Sequence, residues 1–107
     1  MKIVLTDTAR LDLIDIVDYY DSHNPLIADR FENAIQQRLE MLREFPLVGH
    51  AGFGGLLELG LPDFPYVLSY RVLQDEVQII AILHTARDRE HALTIRAAPT
   101  DQRTDMA

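Results

Sequence analysis

The sequence predicts an α+β fold: an N-terminal strand, an antiparallel helical hairpin, then a three-strand antiparallel meander that completes one small sheet (β-α-α-β-β-β). Three observations carry this reading. Apolar residues recur at helical spacing through two consecutive stretches that meet at Asn24-Pro25. Tyr66 to Val72 alternates in side-chain character, as a half-buried strand does. Val77 to Leu83 is almost wholly apolar, broken only by Gln78, as a strand buried on both faces would be.

Each element follows from local residues. Lys2 to Thr6 is a short apolar run ending in Thr-Asp-Thr, read as a strand and then a helix start. Any of Thr6, Asp7 or Thr8 can cap that helix. From Ala9 to about His23, Ala9, Leu13, Ile16 and Tyr20 form one helical face. Asp7, Asp12, Asp15 and Asp18 are placed opposite, with Asp21 extending the stripe; it is either a solvated acidic face or a docking surface for a basic partner. Asn24 caps the second helix, Pro25 suits its first turn, and Ala28, Phe31, Ile35, Leu39 and Leu42 mark its core face up to about Phe45. Pro46 and Gly49 end it.

All five glycines lie between Gly49 and Gly60. Their spacing matches neither phosphate-binding glycine pattern, so the segment reads as a loop into a strand near Leu56 to Leu61. Asp63-Phe64-Pro65 turns the chain. Tyr66, Leu68, Tyr70 and Val72 then share one strand face; Val67, Ser69 and Arg71 share the other. Leu73 to Glu76 is a hairpin turn, and Asp88 to Ala98 is a candidate short helix. One helical hairpin covers one sheet face, so the face with Val67, Ser69 and Arg71 is expected to stay open or to receive a partner.

The 107 residues fit one domain, placed at 1–98, with a polar tail at 99–107 expected to be flexible. No apolar run approaches the roughly 18 residues that a spanning helix needs. Acid enters at Asp7, too early for a signal peptide. The chain has no Cys, which excludes disulfides, thiolate metal sites and a Cys nucleophile, and suits a reducing, cytoplasmic setting. Seventeen acidic residues against ten basic give a net charge of −7, a poor balance for generic nucleic-acid binding. Neither nucleic acid nor membrane is therefore expected as a direct partner.

Catalytic options are few. Ser22 and Ser69 are the only serines, and neither sits in a nucleophile elbow. His84, Asp88 and His91 can converge if the segment after the last strand is helical, but their spacing matches no zinc signature; no metal and no cofactor are expected. The richest cluster is His84, Arg87 and Arg89 beside Arg71, suited either to structural ion pairs or to holding a phosphate or carboxylate.

With these segments in view, the chain resembles the ParE/RelE superfamily of type II toxins, and most closely its ParE, or plasmid-stabilisation, branch. The resemblance lies in Ala9 to Tyr20, in Asn24 to Phe31 with Leu42 to Gly49, and in Phe64 to Val72 followed by Val77 to Asp88. Together they span residues 1–90 in the family's order. The resemblance implies a cytoplasmic toxin neutralised by a cognate antitoxin, acting on DNA gyrase by protein binding, as a homodimer or as a hetero-oligomer with the antitoxin. Arg71, His84, Arg87 and Arg89 would face the target. Asp12, Asp15, Asp18, Tyr66 and Tyr70 would face the antitoxin, whose docking segment is expected to be basic.

The sequence also departs from the RelE-type ribosome-dependent nucleases. They use basic residues on the middle strands, whereas Leu56 to Ser69 has none, and Val67 stands where they tend to have Arg. The loop pattern G-x-R-E-L is replaced by Gly55-Leu56-Leu57-Glu58-Leu59. Arg87 alone matches a basic residue at the end of the last strand. With His84 or His91 as the base it would make a thin nuclease, because RNA cleavage needs both charge stabilisation and proton transfer. The alternatives to gyrase inhibition are thus a RelE-type mRNA endonuclease, or an antitoxin-binding remnant that no longer arrests growth.

Overall fold

Strand β1 (Lys2–Leu5) leads into helix α1 (Asp7–His23) and, one residue later, into α2 (Pro25–Glu44). The chain returns through strands β2 (His50–Ala51), β3 (Leu57–Gly60), β4 (Tyr66–Val72) and β5 (Glu76–His84) to helix α3 (Arg89–Arg96). This computed structural model describes residues 1–96; the expected tail at 99–107 and the end of the expected 1–98 domain lie outside the described residues.

The strands form one mixed sheet in the order β1-β5-β4-β3-β2. β1 runs parallel to β5, and the other pairs are antiparallel. The α+β architecture matches the expectation, with the short strand β2 added where a loop was expected. It pairs His50 with Glu58 and Ala51 with Leu57. Gly54 and Gly55 make the tight turn between β2 and β3 at φ +66° and +82°, a backbone region that suits glycine.

The helix joints follow from caps. Thr6 Oγ1 accepts the Ala9 N–H at 3.2 Å, so α1 begins at Asp7, before the apolar stripe does. Asn24 serves both helices. Its N–H donates to the Tyr20 carbonyl at 2.7 Å, closing α1, and its Oδ1 accepts the Leu26 N–H at 3.0 Å, opening α2. Phe31 anchors the hairpin to the sheet. It is fully buried, its ring 5.6 Å from Tyr20, 5.2 Å from Phe64 and 5.6 Å from Tyr66.

The sheet's second face is not open. It carries its own core of Leu56, Ile80, Ala81, Leu83, Ala92 and Leu93, with α3 laid across it. The expectation of an open face counted only the helical hairpin as cover. Val67 and Ser69 are buried there, so neither offers a surface.

A bulge in β5 allows both faces to be apolar. Ser69 pairs with Ala81 and Tyr70 with Ile79, leaving Ile80 as the extra residue. Val77, Ile79 and Ile82 therefore face the helical hairpin, while Ile80, Ala81 and Leu83 face α3.

Tyr70 is fully buried, and its Oη accepts the Gly49 N–H at 2.9 Å. Burial pushes its pKa above 10.0, against the opposing pull of the Gly49 bond; burial also raises Tyr66, helped by neighbouring Tyr20 and Tyr19. Unfolded tyrosines release the proton first. The stability from these two groups is thus fully present below about pH 10 and is lost as pH rises through the raised values. Tyrosinate absorbance should show a late phase that disappears in denaturant. Tyr70→Phe should shrink that phase and cost about 1 kcal/mol in urea unfolding through the lost hydrogen bond. An unchanged late phase in Tyr70→Phe would contradict the assignment.

Candidate functional site

β1 ends at Leu5, opposite Ile79, so the far half of β5 is a sheet edge. Its backbone groups need partners there. Thr6 N–H donates to the Ile79 carbonyl at 3.0 Å, and the Ile82 N–H donates to Asp12 Oδ2 at 3.0 Å. Asp12 also takes a two-pronged bond from Arg96 on α3, at 2.6 and 3.1 Å. One carboxylate thus joins α1, β5 and α3.

Beside this junction a cleft of about 190 Å³ opens between α1 and the ends of β4 and β5. Asp12, Asp15, Ile16, Tyr66, Ile82, His84 and Arg87 line it. Tyr66 and His84 are register partners, and their rings meet edge to face at 5.3 Å. His84 Nδ1 accepts the Ala86 N–H at 3.0 Å, which assigns the neutral ring's proton to Nε2. His84 therefore offers the cleft a donor, and its basic lone pair is engaged. Arg87 is the only arginine or lysine on the lining, it is exposed, and its guanidinium makes no hydrogen bond or ion pair among the described residues.

The structure thus joins residues that the sequence reading assigned to two different surfaces. Asp12, Asp15 and Tyr66 meet His84 and Arg87 in one cleft. The expected four-member cation cluster is not formed. Arg71 sits toward the other end of the β4–β5 hairpin, where its Nε donates to Gln78 Oε1 at 2.8 Å. Arg89 lies on α3 and pairs with Glu58 Oε2 at 2.7 Å, a carboxylate buried in β3. Three further expectations change with burial and position. Tyr70 is in the core and cannot touch a partner's surface. Asp12 is inward and paired, while Asp15 and Asp18 stay exposed on α1. His84, Asp88 and His91 do not gather: Asp88 caps α3 by accepting the His91 N–H at 3.3 Å, and His91 lies on α3 outside the cleft lining. Among the described residues no group of three His, Cys, Asp or Glu is placed to hold a metal ion.

Sequence reasoning missed Arg96, Glu58 and the inward turn of Asp12. Only the last left a signal. Asp12 lies three residues after Ala9 and four before Ile16, both buried, so helical geometry places it beside the core stripe.

The fold is that of a small α+β domain with a five-stranded mixed sheet, and comparison with known proteins fixes its family. A family model described as the ParE toxin of the type II toxin-antitoxin system parDE matches residues 3–89. A similar curated protein is Toxin RelE2 of Caulobacter vibrioides, 35% identical over 86 residues, covering 80% of this chain and 97% of that one. Another is the putative toxin Y4kP of Sinorhizobium fredii, 34% identical over 76 residues, covering 70% of this chain and 76% of the relative. Among solved structures, the chromosomal ParDE system from P. aeruginosa superposes with a TM-score of 0.69 at 26% identity, covering 78% of this chain and 95% of that one. The chain belongs to the ParE toxin family of type II toxin-antitoxin systems.

Proposed function

We propose that this toxin is neutralised by a cognate antitoxin and arrests growth by binding DNA gyrase, not by cutting RNA. The supporting observation is the lone unengaged guanidinium of Arg87 in the cleft. Arg89 and Arg96 are tied to Glu58 and Asp12, and His84 has its basic nitrogen occupied. Cleaving a phosphodiester requires several groups that move protons and stabilise charge together. A single cation beside an aromatic pair is better suited to anchoring a protein surface, where Arg and Tyr carry most of the binding energy. Antitoxin binding rests on family membership and on the solved ParDE relative.

The test is a supercoiling assay with the purified chain and gyrase. Inhibition that the antitoxin reverses is expected; full supercoiling at saturating toxin, with a preparation that still arrests cells, would refute the reading. The relative named Toxin RelE2 keeps a second reading open, an mRNA endonuclease using Arg87. That reading predicts mRNA cuts at codon boundaries on induction.

A further inference from the structure

Helix α3 lies over one end of the sheet's second face, the end that carries Leu56, Ile80, Ala81 and Leu83. The other end is polar. Ile3, Leu5, Tyr70, Val72, Val77 and Ile79 pack toward the helical hairpin. Successive side chains on a strand point to opposite faces, so Lys2, Val4, Arg71, Glu76 and Gln78 belong to the second face. Lys2 is the register partner of Glu76, and Arg71 is that of Gln78. Three adjacent strands therefore present a row of charges: positive on β1, negative on β5, positive on β4. Gln78 links the last two. Its Oε1 accepts Arg71 Nε at 2.8 Å, and its Nε2 donates to Glu76 Oε2 at 3.5 Å. Gln78 is only 1% exposed, although it lies outside the core that α3 covers.

The chain leaves α3 beside this polar end. Arg96, the last residue of α3, donates to the Ile80 carbonyl at 3.5 Å. Glu76 lies four residues back along β5 from Ile80, roughly 13 Å at strand rise. Asp101 lies five residues beyond Arg96, a reach of about 17 Å for extended chain. From there the sequence runs Asp101-Gln102-Arg103-Thr104-Asp105. Alternate residues of an extended segment share a face. One face of this segment is thus negative, positive, negative, the inverse of the row on the sheet.

We infer that the polar end of the second face is the docking site of this chain's own residues 97–107, with Asp101, Arg103 and Asp105 laid against Lys2, Glu76 and Arg71. The segment's length and point of departure let it reach the site, and the alternation of charge sets its register. Docked there, it adds a third hold on α3 to the Arg89–Glu58 and Arg96–Asp12 pairs. It also leaves the cleft beside α1 open to a partner. The inference is independent of what the toxin attacks.

The test is paramagnetic broadening in the full chain. There is no native Cys, so Gln102→Cys gives a single site for a nitroxide, on the segment face turned away from the charge row. The backbone amides of Lys2, Arg71 and Glu76 should broaden strongly, while that of His84, at the far end of β5, keeps its width. Lys2→Glu and Asp101→Lys, each alone, should reduce the broadening at Glu76 roughly threefold or more, and the two together should restore it. Lys2 is exposed, so its reversal leaves the core untouched, and circular dichroism checks the fold of each variant. Added salt should weaken the broadening as it screens the row. Broadening no stronger at Glu76 than free nitroxide produces overturns the inference, as does broadening that ignores both single reversals. Equal broadening of an unlabelled, isotope-enriched chain mixed with the nitroxide-labelled one would assign the segment to a neighbouring molecule and overturn it as well.

Discussion

Asp12→Ala is expected to lower the unfolding free energy by about 2–3 kcal/mol, read from the urea midpoint at constant slope. The substitution removes both carboxylate oxygens. It leaves the Arg96 guanidinium and the Ile82 N–H without the partners that now lie at 2.6–3.1 Å. Breaking a fully buried pair costs more than this; here the two side chains keep 14% and 18% of their exposure, and water relieves part of the loss. Asp12→Asn should cost less, about 1 kcal/mol, because an amide oxygen can still accept the Ile82 N–H. A double-mutant cycle with Arg96→Ala separates the ion pair from the strand bond. A loss below about 0.5 kcal/mol in Asp12→Ala would place the pair among ordinary surface contacts. Hydrogen exchange locates the damage: α3 should open first at its Arg96 end, while Arg89–Glu58 still holds the other.

Arg87→Ala is expected to abolish growth arrest while leaving the unfolding midpoint unchanged. Arg87 is exposed and makes no side-chain bond among the described residues, so the fold does not depend on it. Its guanidinium is nevertheless the only arginine or lysine charge the cleft presents. A central arginine lost from a protein interface commonly costs 2 kcal/mol or more, roughly thirtyfold or more in affinity. Arg87→Lys should recover only part, since an ammonium lacks the planar fork. The check is colony formation on induction, paired with denaturation of the same variant. Full arrest by Arg87→Ala would move the target-binding surface elsewhere.

Much of the fold was legible because its signals are local. The Asn24-Pro25 joint, the alternation of Tyr66 to Val72 and the apolar run of β5 each define an element within a few residues. The second core was not legible, since it depends on α3 returning across the sheet and on a bulge that turns Ile80 and Ala81 to the same side. The cleft was half legible. His84 and Arg87 stood out by type and position, but Asp12, Asp15 and Tyr66 were assigned to another surface, because nothing in one sequence says that α1 passes the open edge of β5. Arg71 and Arg89 were grouped with Arg87 by charge alone, and the register of β4 against β5, with the Glu58 carboxylate in β3, separates them.

If this ParE-family toxin acts by binding DNA gyrase, as proposed, DNA synthesis is the first process to stop on induction. The most direct measurement is brief induction without antitoxin while following labelled thymidine and labelled methionine incorporation in the same culture. Thymidine incorporation is expected to fall first, with Arg87→Ala silent on both labels. An earlier fall in methionine incorporation, with mRNA cut at codon boundaries, would contradict the account.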